Sequence, residues 1–311
     1  MGHGKVKIGS NVFSASNTGT WFGCGYKTQL DLFQRFKGEE DTEPSEEAKK
    51  SMSFGSFFED AVARYFAEQK GWKIKRCGET AYWSDDMPYF ICHPDRLVIG
   101  KRIALEIKCV SPFSEGWGED GTSEIPDVYY FQVQSYYACC VPCDLVIVVC
   151  MKGNRITSHP IEKDDEVVAE IRRRVKKAHD DFNNGIVPKS ESYESATKYY
   201  GKRYNAEAEG IGANDEVMGL YNRLVKIHYD QSILKDQEDD CKTRLVEKLG
   251  EAPAFLSTED GKVKKICYWA QTSRTSLDME SLKKDHPEID FSTYQKTTST
   301  PTFRVTFPRS K

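Results

Sequence analysis

No apolar run in this chain approaches the roughly 20 residues that a bilayer-spanning helix needs, so a membrane-embedded protein is not expected. The chain also lacks a secretory leader and internal repeats, which points to a cytoplasmic protein rather than an exported or solenoid one. A strong net charge is missing too. Lys and Arg number 44 against 48 Asp and Glu, a net of −4, so composition alone does not announce a polyanionic partner. A local basic groove can still coexist with an acidic remainder. The ten cysteines are not a disulfide framework. Cys92, Cys109, Cys150 and Cys267 fall inside strand-like apolar runs, where a reduced thiol behaves as a small hydrophobe.

What is present is a globular composition, 39% apolar and 30% charged over 311 residues, long enough for one large domain or two modest ones. Residues 5–38 mix Gly, Ser and aromatics and give a helical stretch near YKTQLDLFQRFKG. The acidic run 39–49 reads as a solvated connector. An amphipathic helix follows at SFGSFFEDAVARYFAEQKG, ended by Gly71, then strand-like pieces WKIKRC and TAYW. Residues 111–125 form a Gly-rich loop too long for a passive connection, so it is a candidate to close over a ligand. Pro126 suits the first turn of a second helix, DVYYFQVQSYYACC. The strand DLVIVVCM and a charged helix, EKDDEVVAEIRRRVKKAHDDFNNG, complete the unit near residue 188. The order predicts an α/β domain with a mixed central sheet over 1–188. Residues 189–311 form an α+β extension with a long polar helix from about Asp215 to Lys248, a strand at KKICYWAQTSR, a short helix and a closing strand, TFRVTF.

The chemistry concentrates in CHPDRLVIG-KRIALEIKCV, which reads as a β-hairpin broken at Gly100-Lys101. Strand side chains alternate faces, so Glu106 and Lys108 share one side while Leu105 and Ile107 take the other. Asp95 can approach from the neighbouring strand. A half-buried Glu-x-Lys beside an aspartate is costly as mere structure, but it makes sense if a divalent metal and a phosphate complete it. Glu59 on the first helix, with Gly55, Ser56 and Ala63 a turn away on either side, is either an exposed helix glutamate or a third acidic ligand. Glu59, Asp95, Glu106 and the Ile107 carbonyl form an oxygen set suited to Mg²⁺, and two such ions can bind attacking and leaving oxygens. Lys108 would orient or help deprotonate the attacking water and offset charge at the scissile phosphate.

Gln132 and Gln134 on the second helix lie about 200° apart around its axis, so only one can face a cleft; Tyr129 and Tyr136 share the side of Gln132. His93 is a ligand, a phosphate contact or a satisfied strand-end histidine. Cys139, Cys140, Cys143 and Cys150, with Cys24 upstream, invite an iron–sulfur reading, but they span a helix end and a core strand, a spacing that does not suit a cluster.

These residues together resemble the PD-(D/E)xK nuclease superfamily and, within it, the YqaJ-type viral recombinase family that includes phage lambda exonuclease. The resemblance covers about residues 5–185. Gly55-Ser-Phe-Phe-Glu59 resembles the family's G-x-x-x-E helix, His93-Pro94-Asp95 with Glu106-Ile107-Lys108-Cys109 its S-P-D…E-[LI]-K-C signature, and Tyr129-Tyr-Phe-Gln132-Val-Gln134 its Y-x-x-Q-x-Q.

The resemblance implies a restriction-endonuclease-like core, with Gln132 as the active-site glutamine. It implies Mg²⁺-dependent digestion of linear double-stranded DNA from the 5′ end by a two-metal mechanism, with Mn²⁺ able to substitute. The product would be a 3′ single-stranded overhang for recombination with a single-strand annealing protein. A ring-shaped homo-oligomer, a trimer, is implied too. Val12-Phe-Ser14-Ala-Ser16 matches the family's V-x-[ST]-A-S element, making Ser14 and Ser16 candidates to contact DNA, Ser16 at the 5′-phosphate. Two positions depart from the pattern. Gly9 stands where the family has arginine, with Lys7 the nearest cation, and His93 replaces the serine before Pro-Asp. The alternatives are an endonuclease on the same core or a non-catalytic DNA-binding scaffold. Lys262, Lys264, Lys265, Arg274 and Arg304 are either phosphate-tracking or scattered surface cations.

Overall fold

The computed structural model describes residues 2–5, 12–39, 46–259 and 262–294 apart from 272, 274, 275 and 277, together with 302, 304 and 305. Lys7, Gly9 and Arg274 lie outside these residues, as do residues 303, 306 and 307, half of the expected closing strand at 302–307. The chain forms two compact units, residues 1–203 and 204–311.

The first unit contains β1 (Gly2–Lys5), β2 (Phe13–Ser14), α1 (Gln29–Phe36), α2 (Glu46–Gln69), β3 (Ile74–Arg76), β4 (Thr80–Ser84), β5 (Met87–Cys92), β6 (Arg96–Val98), β7 (Ile103–Val110), α3 (Asp127–Ala138), β8 (Leu145–Lys152), β9 (Arg155–Ile161), α4 (Asp165–Asn183) and α5 (Tyr193–Gly201). The main sheet is five-stranded, in the order β3-β6-β7-β8-β9. Its β7–β8 pair is parallel and its other pairs antiparallel. Parallel strands need a crossover, and the segment carrying α3 provides it. This is the mixed α/β core flanked by helices that the sequence predicts. The expectation of one sheet needs refinement, because β4 and β5 leave it to form a second, four-stranded sheet, β1-β4-β5-β2.

Strand alternation sorts the core into two layers. Ala104, Val146 and Val148 join the cluster containing Val133 and Tyr136 of α3 and Ile171 and Val175 of α4. Leu105, Ile107, Ile147 and Val149 pack instead on Val62, Ala63 and Phe66 of α2. Glu106 and Lys108 therefore lie on the α3 side of β7.

Local chemistry fixes the helix ends. Thr28 and Asp31 close a reciprocal capping box at α1, and the Asp164 carboxylate caps α4 through the Val167 amide. Helix α2 starts at Glu46, so the end of the acidic run, read from sequence as connector, is helical. Its early Glu46 and Glu47 suit the positive end of the helix dipole.

Strand β9 was not expected. It carries Pro160, which cannot donate to a ladder, and it pairs only with β8 at the sheet edge, where proline is tolerated. The first unit continues past residue 188 because Tyr199 of α5 packs on Leu30 and Phe33 of α1.

The second unit holds α6 (Asp215–Leu249), an antiparallel hairpin of β10 (Ala254–Glu259) and β11 (Lys262–Tyr268), and α7 (Met279–Asp285). Asn214 caps the start of α6 and Gly250, at φ +55°, ends it. Leu220, Leu224, Ile227, Ile233 and Leu234 are all exposed on this helix.

Candidate active site

Three segments of the first unit converge where the hairpin motif sits. Asp95 is the residue before β6, and the register Arg96↔Leu105 brings it beside β7. Its carboxylate Oδ2 accepts the Ile107 amide at 2.7 Å. That bond fixes Asp95 beside Ile107, the residue whose carbonyl the sequence singles out.

Glu106 is 3% exposed and is held at both oxygens. Gln132 Nε2 donates to Oε1 at 2.7 Å, Lys108 Nζ lies 2.7 Å from the same oxygen, and the Tyr136 hydroxyl donates to Oε2. Lys108 also donates to Gln132 Oε1 at 3.1 Å and sits over the Tyr129 ring, 4.8 Å from its centroid. The motif on β7 and the Tyr-x-x-Gln motif on α3 thus form one hydrogen-bonded network.

Of the two glutamines, Gln132 faces this network. Gln134 is fully buried elsewhere, donating to the Glu162 carbonyl at 2.8 Å and accepting the Asp164 amide at 3.1 Å. It ties α3 to the turn before α4, and the roughly 200° between the pair explains the division of roles.

Glu59 reaches the site from α2, on the opposite face of β7 from Glu106. Its Oε1 accepts Arg96 Nη1 at 2.8 Å. Asp95 lies within electrostatic range of both glutamates. Burial first, then the charges of Glu106 and Glu59, push its carboxyl up to about 8, against the lowering effects of the Ile107 amide and Lys108. Lys108 shows the complementary balance: burial pulls its pKa down, but Glu106 and Asp95 outweigh that and the net shift is upward.

Among the described residues, no three His, Cys, Asp or Glu side chains gather into a ready-made metal cage. The donor chemistry nonetheless fits a hard divalent cation, since every group is an oxygen. The raised pKa of Asp95 comes from burial first and from the nearby Glu106 and Glu59 charges second, and a cation there would offset both.

Ser14 ends β2, which runs parallel to β5 with Ser14 opposite Ile91, just upstream of His93. Its hydroxyl lies 3.0 Å from that of exposed Ser16. His93 is half-buried, which lowers its pKa, and its carbonyl accepts the Tyr136 hydroxyl at 3.4 Å.

The 111–125 loop is tied down at its far end. Asp120 accepts the Ser158 amide and hydroxyl at 2.7 and 2.9 Å, and the ring of buried His159 lies 3.0 Å from the Thr122 carbonyl. Trp117 packs between His159 and Tyr129. Cys139, Cys143 and Cys150 are buried, and all ten cysteines are free thiols.

Sequence reasoning assigned no role to three residues here. Tyr136 was noticeable, lying one turn after Gln132 on the same face. Arg96 and Tyr26 were not. Arg96 is 2% exposed, an unusual place for a guanidinium. Tyr26 is 79% exposed, and its hydroxyl lies 2.9 Å from that of Tyr129.

Residues 6–141 match the model of the YqaJ-like viral recombinase domain. Over those residues the first unit is similar to the YqaJ-like viral recombinase domain. The match includes Glu59, Asp95, Glu106, Lys108 and Gln132. Protein YqaJ of Bacillus subtilis (strain 168), described as uncharacterized, is 26% identical over 271 residues, 85% of this chain and 81% of its own length. Among solved structures, an alkaline exonuclease (LHK-Exo) from Laribacter hongkongensis shares 16% identity with a TM-score of 0.41, covering 62% of this chain and 95% of its own. A phage-related exonuclease from Haemophilus somnus 129PT shares 15% identity with a TM-score of 0.42, covering 56% and 95%. Among the described residues, no helix is long and apolar enough to cross a membrane.

Proposed function

We propose that this chain is a Mg²⁺-dependent deoxyribonuclease that degrades linear double-stranded DNA from its 5′ end, leaving a 3′ single strand for recombination. The observation that carries the reading is the network Glu106–Lys108–Gln132–Tyr136 beside Asp95, a charged donor and carboxylates held by strand β7, helix α3 and the residue that leads into β6. A fold needs no such buried network for its own stability, since apolar residues fill the same space at lower cost.

The metal-binding set is Glu59, Asp95, Glu106 and the Ile107 carbonyl. A divalent cation bound there supplies an activated water and neutralises charge on the phosphodiester oxygens. The protein groups do the rest. Gln132 and Tyr136 hold the two oxygens of Glu106 in a fixed plane, and the Ile107 amide holds one oxygen of Asp95. Lys108 acts as a charged donor, because Glu106, Gln132 and the Tyr129 ring all surround an ammonium, and it faces the position where charge builds on the phosphate. Ser14, Ser16 and His93 line the approach from β2 and β5 and contact the DNA backbone, with Ser16 at the terminal phosphate. The partners are linear duplex DNA and, downstream, a protein that anneals single strands.

The test is digestion of linear duplex labelled at either end, beside a covalently closed circle, with Mg²⁺ or EDTA. Progressive Mg²⁺-dependent loss of the 5′-ended strand with the circle intact is the expected result. A nicked or linearised circle would move the activity to an endonuclease on the same residues.

A further inference from the structure

Arg96 is a fully buried cation that neither motif nor proposed chemistry uses. It sits on β6 between Arg76 of β3 and Leu105 of β7 in the sheet register. Its Nη1 donates to Glu59 Oε1 at 2.8 Å and to the Asp95 main-chain carbonyl at 2.8 Å. Its Nη2 donates to Asp60 Oδ1 at 3.2 Å, and Asp60 is held in turn by Arg64 at 2.9 Å. Asp60 is half-exposed and Glu59 about a quarter exposed, whereas the guanidinium is 2% exposed. One planar fork thus bonds two carboxylates on α2, Glu59 and Asp60, and the main chain of Asp95.

Resting on the functional reading above, we infer that Arg96 is a positioning residue. It sets the direction from which Glu59 meets the metal and fixes Glu59 relative to Asp95. Three observations support this. The same nitrogen contacts Glu59 and the Asp95 backbone, so a shift of one strains the other. Glu59 Oε1 is engaged by Arg96, which favours the other oxygen as the metal donor. A helix glutamate 26% exposed has rotamers pointing to solvent, and losing that freedom requires a partner. A lysine cannot replace the fork. It keeps the charge but is a point donor on a flexible stem, without the planar geometry that spans two acceptors.

Outer groups that orient metal ligands are worth about ten- to a hundredfold in metal affinity or activity. The test is Mn²⁺ binding to the full chain, without DNA, by titration calorimetry. The proteins are the wild type, Arg96→Lys, Glu59→Gln and the double variant. Arg96→Lys should weaken Mn²⁺ binding about tenfold or more while the protein stays folded. The double variant should bind no more weakly than Glu59→Gln alone, because Arg96 acts through Glu59. Additive losses, or unchanged Mn²⁺ affinity in Arg96→Lys with only a lower melting temperature, would overturn the inference in favour of a purely structural arginine.

Where Arg96→Lys does not fold, Asp60→Ala substitutes for it, since it removes the half-exposed acceptor that fixes the Nη2 side of the guanidinium and leaves Nη1 on Glu59 and Asp95. Binding should weaken in the same direction and only while Glu59 is present. Unchanged binding there also overturns the inference. The two readings separate cleanly: a wild type that binds Mn²⁺ with the coupling intact yet cuts no DNA supports Arg96 and removes the nuclease. A wild type that binds no Mn²⁺ removes both.

Discussion

Replacing Tyr136 with phenylalanine should unsettle the site without opening a hole in it. Tyr136 is fully buried, and its ring is part of the main apolar cluster. Phenylalanine keeps that packing, so no cavity cost arises. What is lost is a hydroxyl that donates to Glu106 Oε2 and, at 3.4 Å, to the His93 carbonyl. The first is a bond to a buried carboxylate, a class worth about 1.5–3 kcal/mol. The second is long and contributes little. The loss therefore comes to about 2 kcal/mol, all from leaving Glu106 with one donor fewer in a dry site. For a unit of this size that is about 4–8 °C in melting temperature. Urea unfolding at neutral pH in EDTA, followed by tryptophan fluorescence, measures it. Trp21, Trp72, Trp83 and Trp117 all lie in the first unit, so the signal reports mainly on the unit that holds Tyr136. A midpoint equal to or above the wild type would refute the reasoning, because it would mean that the hydroxyl does not serve Glu106 in solution.

The glutamines should behave oppositely. Gln134→Ala removes a buried clamp on the 162–164 turn and should cost about 2–3 kcal/mol of stability with turnover per folded molecule retained; Gln132→Ala should spare stability more and lose turnover, as paired unfolding and nuclease assays would show. The raised pKa of Asp95 sets a pH dependence. The folded carboxyl keeps its proton up to about 8, while the unfolded one loses it near 4. Over that window the folded state binds more protons, so metal-free stability falls as pH rises and levels off above it. Saturating Mg²⁺ should flatten the slope, and unfolding midpoints across pH with and without the ion test this. Ser16→Ala should reduce the rate on 5′-phosphorylated ends toward the rate on 5′-hydroxyl ends; an unchanged ratio would remove Ser16 from the phosphate.

Much of the site was readable from residue order because alternation and helical period are strict. Glu106 and Lys108 had to share a face of β7, and the structure puts that face toward α3. Gln132 and Gln134 could not both reach it, and they do not. What the pattern concealed was long-range pairing. Whether β4 and β5 join the main sheet or form another depends on partners distant in sequence. Strand β9 was masked by Pro160 and by His159, residues that say little about an edge strand. Glu46 extends α2 back into an acidic run whose composition suggests solvation more than helix. Arg96 drew no reading from the sequence, and only its burial beneath α2 reveals that it bonds Glu59.

The measurement that bears most directly on the central claim is single-turnover digestion of 5′-phosphorylated linear duplex DNA in Mg²⁺ by wild type and Lys108→Ala, with DNA affinity and folding checked for both. The account predicts degradation by the wild type that EDTA stops, and a loss of at least about a hundredfold in Lys108→Ala with DNA affinity within a few-fold. A Lys108→Ala protein that digests DNA at the wild-type rate would contradict the assignment of this network as the active site.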